Sequence, residues 1–194
     1  FYHGKVRVTD PKGNEFVKFE HKDYLNHIAE HVEEWTYVKF PYLKKVGWKG
    51  FVDGPDNGVY RVGPHGRFNT SDGMATPLAQ QEYEAMYKTL GGKPVHSTLA
   101  FHWARLIELL YAAEHTLELS KDPEITSTNV RNKPNEPGEG VGIVEAARGT
   151  LIHHYVLDKD ALIKDVNLIV ATVNNSSAIN MSIRNAAKGL IHAN

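Results

Sequence analysis

The chain has 194 residues, of which 41% are hydrophobic, and a formal net charge of −1 at pH 7. This composition allows a substantial buried core, and the near balance of 22 basic and 23 acidic residues argues against a nucleic-acid partner. No apolar run approaches the roughly 20 residues that cross a bilayer, and the lack of cysteine excludes disulfides, a thiol nucleophile and thiolate metal ligands from these residues.

The first 35 residues predict a β-hairpin followed by a helix. Residues 5–20 alternate apolar and polar side chains around a Pro-Lys-Gly-Asn turn at 11–14, a pattern typical of a hairpin. Residues 22–35 carry apolar side chains at a helical spacing, which predicts an amphipathic helix. These side chains are Tyr24, Leu25, Ile28 and Val32.

The middle of the chain predicts an irregular segment and then two helices. Many glycines, prolines and aromatics between 47 and 72 indicate irregular chain with a short strand at 59–62. Thr76-Pro77 is a helix-start pair, because threonine can cap a helix and proline fits its first position, so we expect a helix at 78–90. The longest predicted helix covers 98–119. Its apolar stripe consists of Leu99, Trp103, Leu106, Ile107, Leu110 and Tyr111.

The C-terminal part predicts strands and a last helix. Two β-branched strands, at 141–157 and 162–172, are joined by a polar turn at 158–160. A helix is expected from Ser176, with its caps supplied by the polar cluster 174–177. The expected class is α+β, dominated by helices, with peripheral β-hairpins.

We interpret residues 1–194 as one fragment of a single domain, because the chain starts and stops abruptly. Residues 1–132 would form the hairpin and a helical part, and residues 133–140, rich in Pro, Gly and Asn, a loop. Residues 141–194 would form two strands and the terminal helix.

The generic enzyme motif H-x-x-E-H occurs at His27, Glu30 and His31. On a helix, two histidines four residues apart share a face and can bind zinc while the glutamate activates water, as in a metallopeptidase. The chain has 11 histidines and no residue stands out as a third ligand. A chance pair on an exposed helix face is therefore the favoured interpretation, and the zinc peptidase is kept as the alternative function.

Two further patterns are weaker. The glycines at 138–142 do not complete G-x-G-x-x-G, so a tight turn is favoured over a phosphate loop. His153 and His154 are neighbours on a predicted strand, where alternation sends them to opposite faces. They are not expected to bind one metal together.

Glu145 and Arg148 lie in an otherwise apolar, strand-like run. A buried arginine is costly unless its donors are paired with anions. From these residues alone, a structural ion pair between Glu145 and Arg148 is the favoured interpretation. Arg67 and Arg105 allow the same choice, and for both the structural role is favoured.

The segment EAARGTLIHHY at 145–155 resembles the EAPRG-x-L-x-H signature of the nickel-iron hydrogenase large subunit. Segments at 62–79, 102–108 and 167–172 are similar to the same family in the same order, so the resemblance covers nearly the whole chain. The resemblance implies a nickel and an iron bridged by cysteine thiolates, with carbon monoxide and two cyanides on the iron. It also implies two C-x-x-C pairs that hold the metals, and neither pair is present in these 194 residues.

The resemblance implies roles for four residues around such a centre. Arg148 matches an arginine that hydrogen-bonds one cyanide beside the open coordination site, and is the expected catalytic residue. Thr172 matches a Ser or Thr that donates to the second cyanide. Ala147 and Ala171 stand where the family usually has prolines, and would present apolar surface to the diatomic ligands.

The function that the resemblance implies is heterolytic cleavage of H2 in the cytoplasm, as part of a full subunit. Its expected partners are a small subunit with iron-sulfur clusters, heterodisulfide reductase in methanogens, and an electron-transfer subunit. The fragment alone would be inactive, because it lacks the thiolates that hold the metals. A third, non-enzymatic interpretation is an interaction scaffold facing the small subunit.

Overall fold

The computed structural model describes residues 4–54 and 56–191. Within them, seven strands and five α-helices follow one another, with 3₁₀ turns at His21–Asp23, Pro123–Thr126 and Val173–Asn175. The order is β1 (Val6–Thr9), β2 (Glu15–Phe19), α1 (Tyr24–His27), β3 (Ile28–Val32), β4 (Lys39–Leu43), α2 (Pro64–Thr70), α3 (Pro77–Thr89), α4 (Ala100–Leu119), β5 (Glu139–Ala146), β6 (Gly149–Leu157), β7 (Ile163–Ile169) and α5 (Ser176–Leu190).

The predicted N-terminal hairpin is present. Strands β1 and β2 pair antiparallel, with Val6 opposite Phe19. One carboxylate oxygen of Asp10 accepts hydrogen bonds from the backbone amides of Lys12 and Asn14, at 2.8 and 2.9 Å. This side-chain turn closes the hairpin where the Pro-Lys-Gly-Asn sequence predicts it.

The predicted helix at 22–35 is wrong. Only the single turn α1 is helical, and the chain then extends into β3, which pairs antiparallel with β4. An apolar spacing of four fits both a helix face and one face of a strand, so the local pattern could not separate them. The strand wins because its partner, at Lys39–Leu43, supplies a second row of backbone hydrogen bonds.

Helices α2, α3 and α4 pack around one apolar core. It contains Phe68, Tyr83, Met86 and Ile107. The short strand predicted at 59–62 is not found, because those residues pair with no other strand. Helix α3 begins at Pro77 as predicted.

The cap of α3 comes from another helix. Thr76 makes no side-chain cap bond to its own helix, and its hydroxyl donates instead to Glu114 of α4, at 2.6 Å. The Glu114 carboxylate accepts from the backbone amides of Leu78 and Ala79, both at 3.0 Å. The free amides at the start of α3 are thus satisfied by a side chain that lies 35 or 36 residues away in sequence.

The apolar stripe predicted for α4 is only partly correct. Ala100, Ala104 and Ile107 are the buried residues of this helix, whereas Leu99 and Leu106 are 78% and 64% exposed. The small alanines allow α4 to approach its neighbours closely, and large leucines on the adjacent positions are left outside. The orientation of α4 is therefore set by where a neighbour can approach and not by the largest apolar side chains.

The C-terminal sheet has three strands, where two were predicted. The expected strand at 141–157 is the hairpin β5–β6, in which Ala146 pairs with Gly149 and only Ala147 and Arg148 form the turn. Gly149 has φ +139° and so can adopt the geometry that closes this turn. Strand β7 pairs antiparallel with β6 after the predicted turn at 158–160.

One further boundary and one predicted cap are corrected. The predicted loop at 133–140 gives way to β5 at Glu139. The last helix begins at Ser176 as predicted, but no side chain of the 174–177 cluster caps it. Of the described residues, 37% are helical and 23% lie in strands, so the expectation of a helix-dominated fold is not confirmed.

A second core lies between the N-terminal hairpins and the C-terminal sheet. It contains Phe19, Tyr24, Ile28, Ile152 and Ile169. Among the described residues, no helix is long and apolar enough to cross a membrane.

Candidate functional site

The residues singled out by the sequence meet at one end of the three-stranded sheet. Ala147 and Arg148 form the turn between β5 and β6, and the pairing of Ile152 with Ile169 brings the end of β7 beside the start of β6. The chain that follows β7 stays there, because the side-chain amide of Asn174 donates to the carbonyl of Thr150, at 2.7 Å. Residues 147–148 and 171–172 therefore share this edge.

The segment before α2 is tied to the same edge. The backbone amide of Val62 donates to Asn175 Oδ1, at 2.9 Å, and the side-chain amide of Asn175 reaches the carbonyl of Arg148, at 3.5 Å. The hydroxyl of Tyr60 donates to Asn174 Oδ1, at 2.5 Å. The two asparagines expected to cap a helix thus join three separate stretches of chain.

Two glycines allow the close approach of this segment to the turn. A Cβ on Gly149 would lie 2.2 Å from Val62 Cγ2, and a Cβ on Gly63 would lie 3.2 Å from the carbonyl oxygen of Arg148. Both glycines have positive φ, +139° and +101°. Any larger residue would push the turn away from the start of α2.

Beside the turn, Arg67 of α2 is the centre of an ion network. Its Nε and Nη2 bind both oxygens of Glu108 on α4, at 2.6 and 2.8 Å, and its Nη1 binds Glu145 Oε2, at 2.8 Å. Nη1 and Nη2 also donate to the carbonyls of Ala146 and Ala147, at 2.8 and 3.2 Å. The ion pair predicted between Glu145 and Arg148 is therefore wrong, because Arg67 is the arginine that neutralises Glu145.

The electrostatics of the network favour the charged state of Arg67. Burial by itself would lower the pKa of its guanidinium, but the hydrogen bonds and charges of Glu108 and Glu145 outweigh burial and raise that pKa above its ordinary value. Glu145 uses its other oxygen to accept from the Thr150 hydroxyl, at 2.5 Å. One cation thus faces two carboxylates, all three being largely removed from solvent.

Arg148 differs from Arg67 in its exposure and in its polar partners. Its side chain is exposed, and among the residues that the structure describes its guanidinium makes no hydrogen bond or ion pair. Thr172 and Ala147 are also exposed, whereas Ala171 is 6% exposed. The edge therefore presents one guanidinium and one hydroxyl outward, from a backbone that is held in place.

A cleft of about 1480 Å³ lies next to this edge, on the side of α2. His65, Arg67, Glu145, Thr150 and Asn174 are among the residues that line it. His65 is 7% exposed, and within the described chain its Nε2 has no hydrogen-bond partner. Burial lowers the pKa of His65, and the nearby His96 and Arg61 act in the same direction, against a backbone hydrogen bond at Val95 that raises it.

The H-x-x-E-H motif does not form a zinc site. His27 ends α1 and stacks on Phe19, while Glu30 and His31 are neighbours on β3 and so point to opposite faces. His31 Nε2 instead binds Glu33, at 3.0 Å. The zinc peptidase interpretation requires a helix face shared by His27 and His31, and it is wrong because His31 lies on β3. In residues 4–54 and 56–191, no group of three or more metal-binding side chains comes together.

The two neighbouring histidines on β6 do face opposite sides. His154 lies 3.0 Å from the Tyr24 hydroxyl and 2.9 Å from Glu139, while His153 lies 3.4 Å from Tyr155. Gly140 and Gly142 lie in β5, which begins at Glu139, so the predicted strand is confirmed, whereas Gly138 precedes it and the predicted tight turn is not found at 138–142.

The sequence did not reveal the anchoring role of Arg67, Asn174 or Asn175. Arg67 bonds residues 41 and 78 positions away, a separation at which no local pattern indicates a partner. The available signal was an arginine and a glutamate in two segments that each resemble the same family.

Comparisons with known proteins agree on one group. Residues 9–188 match the family described as nickel-dependent hydrogenase. The chain is 53% identical to an F420-non-reducing hydrogenase iron-sulfur subunit of Archaeoglobus profundus, over all of this chain and 40% of that protein. It is 42% identical to the NAD-reducing hydrogenase HoxS subunit beta of Cupriavidus necator, over 97% of this chain and 38% of that protein.

A solved structure gives the same result. An NAD+-reducing nickel-iron hydrogenase in the H2-reduced state superposes with a TM-score of 0.87 and 39% identity, over 96% of this chain and 40% of that one. The chain therefore spans about two fifths of the length of the relatives that it matches.

Proposed function

Because the chain belongs to the nickel-dependent hydrogenase family, we propose that it is the central part of a large subunit that cleaves H2 heterolytically. The observation that carries this proposal is the edge described above. An exposed Arg148 and an exposed Thr172 lie at the same end of the sheet, on a turn and a strand end that are anchored to the rest of the fold. Outward-facing donors on a rigid backbone suit recognition of anionic ligands.

The residues of this chain fit only the outer part of a nickel-iron site. With no cysteine, the chain has no thiolate to hold either metal, and those ligands must come from elsewhere in the full protein. When bound, the nickel-iron centre supplies the electrophilic metal at which H2 is split. The role of this chain is then to contact the cyanides and the carbon monoxide on the iron.

In this proposal each site residue has a distinct task. The planar guanidinium of Arg148 donates to one cyanide, and the hydroxyl of Thr172 donates to the other. Both donors help to offset the charge that cyanide brings into a site shielded from water. Ala147 presents apolar surface next to those donors, whereas Ala171, which is 6% exposed, presents little surface of its own. With the centre bound, Arg148 would also assist the proton transfer that accompanies H2 cleavage.

The proposal extends to partners and location. Electrons released from H2 pass to a small subunit that carries iron-sulfur clusters and, through an electron-transfer subunit, to heterodisulfide reductase. The relatives are named as subunits of F420-non-reducing hydrogenases, which supports a partner subunit. The electron path and a cytoplasmic location extend the proposal beyond those names.

The test is an infrared spectrum of the matured full-length protein together with its H2 turnover. Iron-bound cyanide and carbon monoxide absorb where protein does not, so their absorptions are expected, and a silent spectrum from a metal-loaded preparation would overturn the proposal. Replacing Arg148 by Lys should lower turnover roughly ten-fold or more and shift the cyanide absorption, because lysine cannot reproduce the planar donor. Unchanged turnover in R148K would remove Arg148 from the mechanism.

A further inference from the structure

The direction in which Arg148 points depends on the two peptide groups on either side of its Cα. The carbonyl of Ala147 belongs to the peptide before Arg148, and the carbonyl of Arg148 to the peptide after it. Arg67 Nη2 holds the first of these, at 3.2 Å, and the side-chain amide of Asn175 reaches the second, at 3.5 Å. Since peptide groups are planar, holding both fixes φ and ψ of Arg148 and thereby the direction of its Cα–Cβ bond.

Arg67 approaches the turn from α2 and holds the carbonyl of Ala147. A guanidinium has five N–H donors, and the five contacts of Arg67 to Glu108, Glu145, Ala146 and Ala147 use each of them once. Its side chain is 13% exposed. A saturated, buried guanidinium has one orientation, so the carbonyls that it binds are held to a single position.

From this geometry we infer that Arg67 is a positioning residue for Arg148. It fixes the two-residue turn from which Arg148 projects, and Glu108 and Glu145 fix Arg67 in turn. The inference rests on the function proposed above for Arg148. Arg67 itself is neutralised by two carboxylates and turned inward, so it acts through the turn and does not contact the substrate.

A simpler role for Arg67 is to hold α2, α4 and β5 together. Glu108 on α4 and Glu145 on β5 would be enough for that role. Of the two additional bonds, the one to the Ala146 carbonyl reaches the last residue of β5, and the one to the Ala147 carbonyl is directed at the turn. The two roles predict different results. If Arg67 only holds the elements together, replacing it lowers turnover by the same factor whether or not Arg148 has also been replaced. If Arg67 positions Arg148, replacing it has little further effect once Arg148 has been replaced.

The experiment is a double-mutant cycle in the full-length, matured protein, with R67K, R148K and the double variant. Lysine keeps the charge but cannot place five donors in one plane. We expect R67K to lower H2 turnover roughly five- to ten-fold, about the effect of losing one charge-assisted hydrogen bond. We also expect it to shift the cyanide absorption in the same direction as R148K, and to cause little further loss in the R148K background.

Arg7 provides a matched control. Its guanidinium also binds a backbone carbonyl of α2, that of Thr70 at 2.8 Å, and a carboxylate, that of Asp72 at 3.0 Å. Those contacts lie at the other end of α2 from the turn. R7K should leave turnover and the cyanide absorption unchanged.

Three results would overturn the inference. One is an R67K protein with unchanged turnover and cyanide absorption, and another is a loss in R67K that adds fully to that of R148K, as a general structural effect would. If R67K does not assemble, E145Q takes its place in the same measurements, because this substitution removes one of the two charges that hold Arg67. The third result is an E145Q protein with full turnover and an unshifted cyanide absorption. A wild-type protein without any cyanide absorption would instead overturn the proposed function itself.

Discussion

Two arginines near one turn have opposite environments, and the environment decides what each can do. Arg67 is surrounded by carboxylates and carbonyls and is largely buried, whereas Arg148 is exposed at the tip of the turn. Burying a cation is unfavourable unless its donors are satisfied, and the network around Arg67 satisfies them. A guanidinium available for a ligand must be one that the fold leaves without such partners, as it does for Arg148 within the described part of the chain.

At the same scale, His65 should make stability depend on pH. Its folded pKa is lowered, mainly by burial, so the unfolded chain binds the proton more readily than the folded chain. Stability is then complete above the unfolded pKa of about 6.5 and is lost as the pH falls below it, by up to about 1.4 kcal/mol per pH unit. Denaturant unfolding of the protein between pH 7.5 and 5 would measure this slope.

The variants for this measurement are His65→Leu and, as a control, His102→Leu on the exposed side of α4. H65L should flatten the fall in the free energy of unfolding below pH 6.5, while H102L should keep the slope of the wild type. If H65L and the wild type have the same slope, His65 is not the group responsible.

Among the elements, α4 shows how packing overrides the size of apolar side chains. Its buried face is made of Ala100, Ala104 and Ile107, and it also supplies Glu114 as the cap of α3 and Glu108 as the partner of Arg67. A helix that must bring both carboxylates to their partners can bury only the face between them. Leu106 is outside that face although it is one of the most apolar residues of the helix.

The energetic consequence for α4 can be tested with two adjacent residues. Ile107→Ala should lower the free energy of unfolding by about 3 kcal/mol, because it leaves a cavity in the helical core, where Ile107 is 2% exposed. Leu106→Ala, at a position 64% exposed, should change it by less than about 0.5 kcal/mol. Urea denaturation of both variants gives the comparison, and equal losses would contradict the observed orientation of α4.

For the whole molecule, the main question is what joins the N-terminal half to the C-terminal sheet. Near Tyr24, which is completely buried, the hydroxyl lies 3.0 Å from Nδ1 of His154 and accepts from Asn167, at 3.1 Å. The helical core is joined to the same sheet by Arg67 through Glu145. Each link connects segments that are more than 70 residues apart in sequence.

Removing the hydroxyl of Tyr24 should therefore weaken the whole fold. Tyr24→Phe keeps the ring in the core but leaves His154 and Asn167 without this partner, so we expect a loss of about 1–2 kcal/mol in the free energy of unfolding. Tyr37→Phe, at a fully exposed tyrosine, is the control and should be close to neutral. A Tyr24→Phe protein as stable as the control would show that the hydroxyl contributes nothing to this connection.

Much of the local structure could be predicted because local chemistry produces it. The Asp10 turn and the turn at 158–160 are closed by side chains a few residues away, and α3 begins at Pro77, a residue that suits the first helical position. The proposed site residues come from a resemblance to a family signature. Neither the sequence patterns nor the family resemblance predicted which residue pairs with Glu145. They also did not predict that a two-residue turn divides 141–157 into two strands.

By itself, the sequence determined that this chain has no thiolate with which to hold a nickel-iron centre, and that Arg148 stands in a hydrogenase signature. Only the tertiary structure decided that residues 28–32 form a strand, that Arg67 and not Arg148 pairs with Glu145, and that Arg148 projects from a turn. The physical reason is distance along the chain. Composition and capping act within a few residues, whereas strand pairing and ion pairing depend on segments that only the folded chain brings together.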